Sequence, residues 1–206
     1  MNESEATNKL RILLEQDVEQ VQFWLDQVWA EKQQISDDFN WYGLAEIAAS
    51  QARELALQSP PCKLLSLAWA KVAISVYEFL INHQIKYEIR ESFFYSLMML
   101  RAYMIVKFGI SDQDSILDTT PIVDWFFDNL NLTYQEAISR TSSWQELFTN
   151  STSEKFNDKL ISKREDILQL RLIKNRLGVI KLLMDSHQLC PNEELKAWLL
   201  IREKLP

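Results

Sequence analysis

Three glycines and five prolines are all that punctuate these 206 residues. Average usage would supply about 14 and about 10. Left-handed turns, bulges and tight hairpins need glycine, whose missing Cβ removes the clash at positive φ. A chain this poor in glycine has few places to reverse sharply, so a β-rich fold is hard to build from it. Long helices joined by few connections suit it better. Between the breaks, apolar side chains recur at intervals of three and four, which gathers them on one side of a helix. The expected class is all-α: an irregular helical bundle of about seven to nine helices built on antiparallel helical hairpins.

With 47% apolar and 11% aromatic residues, the chain can bury a sizeable core without metal or disulfide staples. A single all-α domain over 1–206 is the expectation. A subdivision would leave a helical core at 1–110, containing a hairpin at 62–108, and short helices plus a long C-terminal helix at 111–206. Cys62 and Cys190 lie far apart, outside any CxxC spacing, and read as free thiols in a reducing cytoplasm. The opening MNESEATNKL is polar and acidic, unlike a secretory signal. The stretch 64–81 is about the length of a membrane span, but Lys71 and Glu78 interrupt it on one helix face. Each would cost roughly 2.5–3.5 kcal/mol near a bilayer centre. It reads as the central helix of a soluble bundle, with no membrane.

The first helix is expected over about 5–32, with Leu14, Val18, Val21, Leu25 and Val28 as its seam and Phe23, Trp24 and Trp29 widening it. A second follows Asp37-Asp38, over about 39–58. Its inner stripe is Tyr42, Ala45, Ala49, Ala52 and Ala56, with Ala48 beside it. Helices three (about 62–82) and four (about 88–108) are apolar nearly all round, so protein should surround them. The short link 82–86 makes them an antiparallel pair, and Gly109 stops the fourth. Thr120-Pro121 starts a short helix. Capping boxes at Thr133/Glu136 and Ser143/Glu146 predict two more, near 134–140 and 144–149. A long helix should run from about 154 to 186, and Pro191 should open the last.

Ala49, Ala56 and Pro61 have the small-small-proline spacing of the second helix of a tetratricopeptide unit. Over this dozen residues the chain resembles that repeat, which implies stacked hairpins. Tryptophan, leucine, glycine and tyrosine are missing from the matching upstream offsets, and no 34-residue self-similarity follows. The stretch 132–148 is similar to a helix-turn-helix, with Ala137 at the crossing, Thr141 at the turn and Leu147 in the packing position. Its second helix offers Trp144, Gln145 and Glu146 but no basic residue, and phosphate contacts supply most affinity for DNA. Two capped connecting helices are the plainer expectation.

Chemistry is thin. His83 and His187 fall at predicted helix ends, where they favour the C-terminal dipole. His83 has no histidine or cysteine at i+3 or i+4, and His187 has only Cys190, at i+3, a pair too small for a metal site. Asp112, Asp114 and Asp118 echo the start of a calcium loop, but Leu117 stands at its glycine position and Val123 at its glutamate position. No phosphate-cradling glycine loop or GxSxG elbow occurs. No catalytic centre, cofactor or metal is expected.

Net charge is −7, which repels bulk nucleic acid. Residues 1–60 carry −7, 61–150 carry −3 and 151–206 carry +3. The function expected is a non-catalytic helical module that binds another protein, as an adaptor, regulator or assembly factor, with self-association included. Its candidate contact residues are Trp24 and Trp29 on the first helix, and Lys155, Lys159, Lys163, Arg171, Lys174 and Lys181 on the long C-terminal helix. One alternative is a nucleic-acid-associated regulator using that basic helix. Another is a binder of an apolar small molecule between helices three and four, where Met98, Met99 and Met104 could line an adaptable cavity.

Overall fold

The computed structural model describes residues 5, 8, 9, 11, 12, 23, 40–83, 86–150 and 163–206, the side chains of 147–150 excepted. Among these residues every regular element is a helix, so the chain is all-α. Two compact units form, Met1–Asp118 and Thr119–Pro206.

The first unit contains α1 (Trp41–Leu57), α2 (Lys63–His83), α3 (Tyr87–Phe108) and a 3-10 turn (Ser115–Leu117). Asn40 caps α1, its Oδ1 accepting the Gly43 N–H at 2.9 Å. The expected start after Asp37-Asp38 lies outside the described residues, as do most of those expected in the first helix. The alanine stripe is as the spacing implies: Ala45, Ala48, Ala49, Ala52 and Ala56 are buried, and Leu44 joins them. Tyr42 departs from it, 44% exposed, with its ring against Phe93 at a 5.5 Å centroid distance. A phenol is too long to lie between helices that alanines let approach so closely. Ser66 of α2 fills the seam. Its hydroxyl donates to the Ala52 carbonyl at 2.7 Å and lies 3.5 Å from the Met104 sulfur of α3.

By length and composition alone, α2 is apolar enough to cross a membrane. Here eleven of its residues, Trp69, Val76 and Tyr77 among them, are buried in protein. Leu64 is the correction to an all-round buried helix: it stands 85% exposed in the first turn. The two charges inside α2 are engaged, Lys71 with Asp114 at 3.2 Å and Glu78 with Arg101 at 3.8 Å. α3 ends where expected, at Gly109, whose φ of +80° suits a residue without Cβ. Its N–H closes on the Ile105 carbonyl at 2.8 Å.

The polar segment after α3 is clasped to the same unit. Ile116 and Leu117 are buried, Asp114 Oδ1 accepts the Ile116 N–H at 3.2 Å, and Arg101 Nη1 donates to the Ser115 carbonyl at 2.8 Å. Burial pulls the Arg101 guanidinium below its ordinary pKa, against the opposing pull of Glu78, Asp118 and Asp114. Asp114, one of the three calcium-loop-like carboxylates, is thus spent on a turn and an ion pair.

The second unit contains α4 (Thr120–Asp128), α5 (Tyr134–Asn150), α6 (Arg164–Asp185), α7 (Glu193–Ile201) and a closing 3-10 turn (Arg202–Lys204). Pro121 sits in the first turn of α4, where its missing N–H costs nothing. Trp198 anchors the core, edge-on to Phe126 at 5.8 Å and to Tyr134 at 5.3 Å. Leu177, Val179 and Ile180 of α6 are fully buried beside Leu183.

α5 corrects two readings. One helix runs through the stretch expected to hold two short ones or a helix-turn-helix. The first capping box forms, with the Thr133 N–H and hydroxyl each donating to Glu136 Oε2 at 2.8 Å. The second does not. The helix continues through Ser143, and just before it Thr141 and Ser142 turn their hydroxyls onto the Ala137 and Ile138 carbonyls, at 2.6 and 3.1 Å, as such side chains do inside a helix. The 154–162 part of the expected long helix lies outside the described residues. Pro191 precedes the last helix without opening it. The cap is Asn192, whose Oδ1 accepts the Leu195 N–H at 2.8 Å.

Candidate functional site

Of the residues expected to meet a partner, Trp24, Trp29, Lys155 and Lys159 lie outside the described residues. The other four are on or beside α6. Spacings of eleven and seven bring Lys163, Lys174 and Lys181 to one side of the helix, yet each ammonium has a local contact. Lys163 donates to the Ser143 hydroxyl, and Lys174 donates to the Leu205 carbonyl at 2.8 Å. Lys181 pairs with Asp185 at 2.8 Å. An exposed pair of that last kind is worth only about 0.3–0.5 kcal/mol, so a stronger acidic partner could displace it. Arg171 is exposed on a neighbouring stripe.

The polar centres that matter most to the two units were not among those candidates. In the first unit Tyr77 is 1% exposed, and its hydroxyl donates to Glu46 Oε1. Tyr42 and Ser96 bond into the same group, which therefore ties α1, α2 and α3 together. Burial raises the Tyr77 phenol far above its ordinary value, and the Glu46 carboxylate adds to the rise. Tyr42 shifts the same way, with burial again the larger cause. Near neutral pH both phenols keep their protons and act as donors. The i,i+4 pair Tyr42/Glu46 is visible in the sequence, but its meeting with Tyr77 across helices is not.

In the second unit Arg176 is buried at 2% exposure. Its guanidinium lies 5.5 Å from the centroid of Trp125, and Nη1 donates to the Asn129 carbonyl at 2.5 Å. A planar cation over an indole face gains from the ring quadrupole. By charge alone Arg176 belongs with the other basic residues of the C-terminal helix. Its spacing, three after Ile173 and four before Ile180, was the available signal for the inner stripe. At the unit's edge Arg140 bridges to Asp166 at 2.5 Å and to Gln169 at 2.9 Å.

His83 acts locally, its Nδ1 2.8 Å from the Phe79 carbonyl and its ring 4.2 Å from the Phe79 ring. His187 sits just beyond α6 at a φ of +60°, its N–H donating to the Met184 carbonyl at 2.9 Å. Among the described residues no group of three His, Cys, Asp or Glu stands close enough to hold a metal ion. Of the methionines suggested to line a cavity, Met98 and Met104 are buried and Met99 is half-buried. No family model, curated protein or solved structure matches the chain.

Proposed function

We propose that this chain is a non-catalytic helical module that binds another protein, with a second copy of itself among the partners to be tested. The carrying observation is a set of exposed aliphatic side chains at one end of the first unit. The described polar centres, Tyr77–Glu46, Arg101 and Arg176, are turned inward to hold helices together, while large aliphatic side chains face out. Leu57, Leu64 and Ile110 are 64%, 85% and 51% exposed. They lie where α1 and α3 finish and α2 begins, at one end of the first unit. Lys63, with its ammonium 5.8 Å from the Phe108 ring, marks the same end. Apolar residues gathered at a rim of polar ones favour contact with another protein.

The successive antiparallel pairs α1–α2 and α2–α3 support reading the fold as stacked hairpins of tetratricopeptide-like kind, with Ala49 and Ala56 at the small-residue positions. The free thiols Cys62 and Cys190 suit a reducing cytoplasm.

The test is sedimentation of the full chain beside affinity capture from its native lysate, repeated with Leu57, Leu64 and Ile110 all changed to glutamate. Self-association or a captured protein, lost in the triple variant, is the expected result. A strict monomer that captures nothing refutes the reading.

A further inference from the structure

We draw no further inference here: the strongest candidate, the uncharged outward stripe of α3 made by Ser92, Tyr95, Met99, Tyr103 and Val106, carries nothing, because nothing in the structure shows what covers it.

Discussion

Two glycine-to-alanine substitutions should move stability in opposite directions, and the site with more empty space should be the one that suffers. Gly178 lies in the interior of α6. A Cβ built there meets only Arg202 Nη2, at 3.6 Å, an ordinary van der Waals distance from the far end of a flexible side chain. Glycine in a helix interior costs about 0.5–1 kcal/mol relative to alanine, through the wider freedom of the unfolded chain. Gly178→Ala should therefore stabilise the second unit by about that amount. For a unit of this size, that corresponds to a melting rise of roughly 2–8 °C. At Gly109 nothing lies within 4 Å of the added Cβ, so packing alone would tolerate alanine. The backbone decides otherwise. A φ of +80° with ψ of 169° falls in a region reserved almost wholly for glycine, so alanine should cost about 1–3 kcal/mol. Relaxing the strain would sacrifice the bond from the Gly109 N–H to the Ile105 carbonyl. Urea titrations followed by amide NMR would read each unit from its own helices, with slopes expected to match the unaltered chain. A destabilised Gly178→Ala, or a neutral Gly109→Ala, would refute this account of backbone against packing.

Tyr77→Phe leaves Glu46 short of a donor and should cost about 1–3 kcal/mol at neutral pH. It should also flatten the alkaline limb of stability. Because the folded phenol pKa is raised, the unfolded chain alone releases that proton above about pH 10, so stability falls from there upward; denaturation between pH 8 and 11 tests both. Arg176→Ala should cost the second unit about 2–5 kcal/mol, from a charged hydrogen bond of about 1.5–3 and a cation–π contact of about 0.5–2; calorimetry against Arg171→Ala, an exposed control, checks it. The Thr133 N–H and hydroxyl hold the Glu136 carboxyl below its ordinary pKa, so this cap supports α5 above the ordinary carboxylate range and fades as pH falls through the lowered value. Thr133→Ala keeps the N–H and loses the hydroxyl, so an NMR titration of the Glu136 carboxyl should return only part of the way toward its ordinary value.

What the sequence conveyed was local and periodic. The alanine stripe of α1 and the hairpin of α2 and α3 follow from three-and-four spacing, and Gly109 and Pro121 mark a real stop and a real start. The same grammar misled at Ser143/Glu146, where a capping box exists in letters but not in space. The helix runs on through Ser143, whose hydroxyl takes the Lys163 ammonium instead of capping an amide, and only the neighbouring packing decides which. Charges were read as surface by type. Arg176 escapes that rule because Trp125 and the Asn129 carbonyl, 51 and 47 positions upstream, supply what water would have given it. The Glu46 centre was illegible for a related reason. Its members come from three helices, and nothing local in any one of them announces the others.

The clasped segment behind α3 bears on how the protein should be divided in the laboratory. A fragment ending at Gly109 would lose Ile116 and Leu117, uncover the aliphatic surface they shield, and strip the Arg101 guanidinium of the Ser115 carbonyl and two of its carboxylates. Such a piece would invite precipitation. Cutting after Asp118 instead carries the lid, its anchor and its counter-charges away together.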